Sequence, residues 1–120
     1  MNGIKKHLKS YVYAFRGIWL ALRFESNMML HLLATVAVIV VNYLLDLQRT
    51  DWLITLLLVG IVWMAEIFNT AIEKLSDRVN PDHDERIKEV KDLAAGAVLV
   101  VCIVAVVCAG IIYYPYLVKS

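Results

Sequence analysis

Three long apolar runs, placed at 28–45, 52–73 and 92–116, leave this chain few ways to fold. Written as helices at about 1.5 Å per residue, Met28 to Leu45 reaches roughly 27 Å and Leu93 to Tyr114 roughly 33 Å, which matches a hydrocarbon core of ~30 Å. Within lipid no water satisfies the backbone, so such runs must be helical. With hydrophobic residues at 61% of 120 and a mean hydropathy of +0.68, an ordinary soluble domain is excluded. The expectation is an all-α membrane protein, one domain over 1–120. Nearly thirty residues precede the first run and no small-residue cleavage pattern closes it, so that run is expected to remain as an anchor.

Ahead of the first span, Ile4, Leu8, Tyr11, Val12, Phe15, Ile18, Trp19 and Leu22 recur at helical spacing, with Lys5, Lys6, Lys9, Arg16 and Arg23 largely on other faces. This predicts a basic amphipathic helix over 4–26 lying in the membrane interface. Asp46 to Asp51 makes a short turn, Trp52 opens the second span, and Tyr113, Tyr114, Pro115 and Tyr116 close the third. Lys and Arg gather before the first span and again at Lys74, Arg78, Arg86, Lys88 and Lys91. By contrast the other two flanks hold only Arg49 and Lys119. The bias places the amino terminus and the 74–91 loop in the cytoplasm. Glu25, the end of the second span and Lys91-Asp92 are then expected at one depth, as parts of a composite site on the inner face.

That site is expected around Glu66, Asn69, Glu73 and Asp77, spaced three, four and four apart. At about 100° per residue they fall within roughly 80° of one another, with Thr70 alongside, as an acidic stripe on one helix. Ionisable groups inside a membrane are costly and point to function. Measured from Trp52, Glu66 lies about 21 Å deep and Glu73 about 31 Å, against a core of ~30 Å. Proton exchange is therefore assigned to the enclosed Glu66 and a divalent cation to the hydrated Glu73.

Each residue also has a plainer role. Glu66 and Asn69 would serve as polar glue between helices, Glu73, Lys74, Asp77 and Arg78 as a solvated helix end, and His31 as an interhelical donor rather than a metal ligand. Ala94-Ala95-Gly96-Ala97 permits close helix approach, and Cys102 and Cys108, six apart on different faces, are packing residues. No phosphate-binding glycine loop or metalloprotease helix is present. The residues alone leave open an enzyme, a small oligomeric transporter or ion-conducting protein using Glu66 and Asn69, or a non-enzymatic assembly subunit.

The stretch Ala65-Glu66-Ile67-Phe68-Asn69-Thr70-Ala71-Ile72-Glu73-Lys74-Leu75-Ser76-Asp77, followed by Val90-Lys91-Asp92-Leu93-Ala94-Ala95-Gly96-Ala97-Val98-Leu99, resembles the prokaryotic diacylglycerol kinase family of integral membrane lipid kinases, which includes undecaprenol kinases. The pattern E-x-x-N-[ST]-A-I-E, the eighteen-residue interval from Glu73 to Lys91-Asp92, and A-A-G-A-V-L carry the likeness. Tyr13 to Trp19 and Glu25-Ser26-Asn27 extend it over essentially the whole chain. The resemblance implies ATP- and Mg2+-dependent phosphorylation of a membrane lipid alcohol, diacylglycerol or undecaprenol. It implies Glu66 as general base, Asn69 orienting Glu66 or the lipid, and Glu25 and Glu73 as Mg2+ ligands. Lys6, Tyr13, Glu25, Glu73, Asp82, His83, Asp84, Lys91 and Asp92 match ATP-contacting positions, Lys6 standing where the family often has Arg. A homotrimer in the bacterial cytoplasmic membrane with shared sites is implied, without a nucleic-acid partner. The Asn27 and His31 placement leans toward the undecaprenol branch.

Overall fold

The computed structural model describes residues 2–79 and 84–118, apart from the side chains of Phe24 and Ser26. Four helices account for nearly all of it: α1 (Gly3–Phe24), α2 (Ser26–Leu44), α3 (Arg49–Val79) and α4 (Glu85–Leu117). Local chemistry sets their ends. Asn2 caps α1 by accepting from the Lys5 N–H at 3.1 Å, and Asp84 caps α4 by accepting from the Arg86 N–H at 2.8 Å. Glu25 sits extended, at φ −110° and ψ 119°, so α1 stops at Phe24 and the chain changes direction before α2. The amphipathic segment thus ends two residues earlier than the expected 4–26, because that break falls inside its last turn. Asp46 takes the left-handed conformation at φ 54°, a position tolerated by Asp that turns α2 back toward α3.

The helices run past the expected membrane segments, α3 beyond residue 73 and α4 upstream of residue 92. Hydropathy marks where a helix leaves the hydrocarbon, whereas backbone hydrogen bonding continues wherever no cap or proline stops it. Three helices are long and apolar enough to cross a membrane, the matching segments being Asn27–Leu44, Arg49–Val79 and Glu85–Leu117.

Helix α3 is the centre of the packing. It lies along α4 most extensively and also meets α2 and α1. The contacts His31–Glu66, Thr35–Trp63 and Asn42–Thr55 step in opposite directions along α2 and α3, so these are antiparallel neighbours. Burial is inverted relative to a soluble protein. Among the described residues Asn42, Thr55, Glu66, Thr70 and Ser76 are buried, while Leu30, Leu57, Val106 and Ile111 stay exposed. A chain surrounded by hydrocarbon gains nothing by hiding leucine and much by pairing its polar groups with each other.

Candidate functional site

Glu66 projects from an apolar turn of α3 and is 3% exposed. Its Oε2 lies 3.4 Å from Nε2 of His31 on α2, an interhelical partner of the kind the sequence assigned to that histidine. The Thr70 hydroxyl donates to the Glu66 carbonyl at 3.0 Å, which turns the threonine inward rather than toward a ligand. One turn outward, the Trp63 indole N–H donates to the Thr35 hydroxyl at 2.8 Å, and that hydroxyl donates to the His31 carbonyl at 2.7 Å. The α2 turn carrying His31 is therefore fixed against the α3 turn carrying Glu66.

Asn69 points along α3, its amide donating to Glu73 Oε1 at 3.5 Å. Asn69, expected to orient Glu66 or the lipid, places its amide on Glu73, and it is the imidazole of His31 that contacts Glu66. Residues 69 and 73 are one helical turn apart, whereas His31 reaches Glu66 from the facing helix. Asn69 Oδ1 is buried and has no hydrogen-bond partner. A buried carbonyl oxygen without a donor is costly, and at a site it marks where a donor belongs.

Further along, Asp77 accepts from Lys91 Nζ at 2.5 Å, joining α3 to α4. Lys88 and Asp92 pair at 2.7 Å along α4. Asp77 near the end of α3 and Lys91 near the start of α4 thus lie at one level of the bundle, with Lys91 and Asp92 already engaged. Glu25 is half-buried at the α1–α2 break, and Glu73 is half-buried on α3. Lys6 and Tyr13 lie on the exposed α1, Tyr13 at 64% exposure. Asp84 is committed to the α4 cap, whereas Asp82 and His83 lie outside the described residues. Among the described residues no three His, Cys, Asp or Glu side chains gather as a metal cluster. The carboxylates of Glu25, at the α1–α2 break, and of Glu73, in contact with the Asn69 amide, are anionic oxygens of the kind a hard cation accepts.

The His31–Glu66 and Trp63–Thr35 contacts were missed in the sequence as features of the site. Their signal is a polar residue on each apolar helix at matching distance from the connecting turn.

Fold and site together define a small all-helical membrane protein with an enclosed carboxylate at one end of its bundle. The family model for prokaryotic diacylglycerol kinase matches residues 12–113, and the chain belongs to that family of lipid kinases. An undecaprenol kinase of Bacillus subtilis (strain 168) is 37% identical over 116 residues, 97% of this chain and 94% of the relative. A diacylglycerol kinase of Synechocystis sp. is 36% identical over 109 residues, 90% of this chain and 62% of the longer relative. A diacylglycerol kinase of Escherichia coli (strain K12) is 28% identical over 106 residues, 88% of this chain and 87% of the relative.

Proposed function

We propose that this protein transfers the γ-phosphoryl group of ATP to the hydroxyl of a membrane lipid alcohol at the cytoplasmic face of the bacterial cytoplasmic membrane. The observation that carries this reading is the enclosed Glu66 set one turn from the donor-seeking Asn69 Oδ1, in a chain of this family. Glu66 takes the hydroxyl proton. The lipid oxygen forms its bond to the γ-phosphorus as the bond to the bridging oxygen of ADP breaks, and the phosphorylated lipid and ADP leave. Phosphoryl transfer asks a protein for positioning and charge neutralisation more than for covalent help.

Glu25 and Glu73 would hold Mg2+, which when bound neutralises phosphate charge. Lys91 and Asp92, with Lys6, Tyr13, Asp84 and the neighbouring Asp82 and His83, are the proposed nucleotide contacts. Exchange of the Lys91–Asp77 and Lys88–Asp92 pairs for nucleotide costs little. Asp77 and Asp92 are both 64% exposed at the side chain, and water screens such exposed pairs so that they add little to stability. Undecaprenol, giving undecaprenyl phosphate, is the first acceptor to assay, in view of the Bacillus subtilis relative. Diacylglycerol, giving phosphatidic acid, is the second. The α1 helix is assigned to the interface, the amino terminus to the cytoplasm and the assembly to a homotrimer, in which Lys6 and Tyr13 on the exposed α1 complete a site shared between neighbours.

The test is lipid-dependent ADP formation by the purified protein with Mg2+ATP and each lipid in turn. Glu66→Gln should keep nucleotide affinity and lose turnover by about 10²–10⁴-fold, the usual contribution of a general base. Normal turnover in that variant removes Glu66 from the mechanism. Absence of lipid-dependent ADP formation with both lipids leaves the transporter reading in its place.

A further inference from the structure

Within that reading, on which this inference rests, one partner of Glu66 has no role yet. We propose that His31 is a positioning residue for the reaction: its imidazole holds one oxygen of the Glu66 carboxylate so that the other faces the acceptor hydroxyl.

The geometry is specific to the side chain. His31 Nε2 faces Oε2 of Glu66 at 3.4 Å, with the two side chains 17% and 4% exposed. Contacts in a substrate-free catalytic site are commonly this long and tighten when the substrate enters. A glutamate has three rotatable bonds, and the α3 turn around Glu66 offers apolar neighbours such as Ile67 and Val62. Without a polar partner nothing in such a wall selects one rotamer of the carboxylate. His31 supplies that selection from the facing helix, and its own backbone is held by the Thr35 hydroxyl, itself bonded to Trp63. With Oε2 committed to His31, Oε1 is the oxygen left for the hydroxyl proton. Asn69, three residues on, brings its unpartnered Oδ1 to the same side of the helix.

His31 also borders the apolar cavity of about 270 Å³ between α2, α3 and α4. The imidazole thus marks the boundary between a hydrocarbon-lined space and the carboxylate. The lipid is held largely by its apolar body, which His31 does not grip. Loss of His31 should therefore change the chemical step and not lipid binding. A displacement of about 1 Å in a reacting group costs up to ~10²-fold in rate.

Turnover is measured with Mg2+ATP and either undecaprenol or dioleoylglycerol in detergent micelles, for wild type, His31→Leu, His31→Gln, Trp63→Phe, Glu66→Gln and His31→Leu/Glu66→Gln. His31→Leu should lower kcat by about 10- to 100-fold while lipid KM and nucleotide affinity move less than about threefold. His31→Gln, whose amide nitrogen stands near the place of Nε2, should recover most of the lost kcat and keeps the test open if the leucine variant does not fold. Trp63→Phe breaks the neighbouring α2–α3 hydrogen bond and should cost kcat far less. The double variant should be no slower than Glu66→Gln alone, because His31 acts through Glu66. Wild-type kcat in His31→Leu, or a further loss in the double variant, would each overturn the proposal. A Glu66→Gln enzyme with full turnover would instead remove the base, and with it the proposal, through a different arm of the experiment.

Discussion

Replacing Asn42 by Leu should loosen the end of the bundle opposite the candidate site by about 1–3 kcal/mol. Asn42 is 0% exposed, donates to the Thr55 hydroxyl at 2.8 Å and accepts from the Tyr113 hydroxyl at 2.5 Å, so one amide joins α2, α3 and α4. Interhelical hydrogen bonds within membranes contribute about 0.6 kcal/mol on average and up to about 1.7. Two of them give about 1.2 to 3.4 kcal/mol, and leucine keeps the same branched outline with bulkier tips, so no cavity contribution adds to this. Thr55 keeps its bonds to the carbonyls of Asp51 and Trp52, both at 3.0 Å, whereas the Tyr113 hydroxyl loses its acceptor. Tyr113→Phe should cost about half as much. Adding it to Asn42→Leu should cost nothing more, because it deletes the stranded hydroxyl. The assay is reversible unfolding in mixed micelles of rising SDS fraction, read by circular dichroism, with a double-mutant cycle over the two positions. Stability of Asn42→Leu within about 0.3–0.5 kcal/mol of wild type, or strict additivity in the cycle, would refute the reasoning. Turnover per folded molecule should be preserved, since Asn42 lies eleven residues from His31 along α2, about 16 Å.

Other outcomes follow from the same placements. Glu73→Gln and Glu25→Gln should each raise the Mg2+ concentration for half-maximal rate, each removing an anionic oxygen ligand; unchanged Mg2+ dependence in both would end the metal assignment. Asp77→Asn removes the exposed partner of Lys91 and should change stability by less than about 1 kcal/mol, checked by the same unfolding assay. In a Cys102→Ala, Cys108→Ala background, a cysteine at the exposed Arg86 should react with an impermeant thiol reagent only from the cytoplasmic side, and one at the exposed Gln48 only from outside. Labelling of position 86 from outside intact cells would put Glu73 and Lys91 beyond the reach of cytoplasmic ATP.

The helices and their polar stripe were legible in the sequence because both are local. Apolar runs fix which segments can be membrane helices, and residues three or four apart share a face regardless of what surrounds them. Asn69 and Glu73 could thus be placed side by side from their spacing, and the enclosure of Glu66 could be expected from its distance to Trp52. The family followed from the same stretch, since its motif is contiguous along α3 and the start of α4. The partners across helices were a different matter. Periodicity says that Glu66 and His31 each face inward, but not that α2 and α3 are rotated and offset so that one imidazole meets one carboxylate. The Asn42–Tyr113 bond, between residues 71 apart, and the Lys91–Asp77 pair have the same origin. Helix register is set by the sum of many weak side-chain contacts and a few hydrogen bonds along the whole interface, none of which has a signature at any one position. The sequence by itself therefore determined which segments are the bundle's helices and which residues share a face. Only the tertiary structure decided which of them touch, and so left Asn69 Oδ1 without a donor and gave Glu66 its histidine.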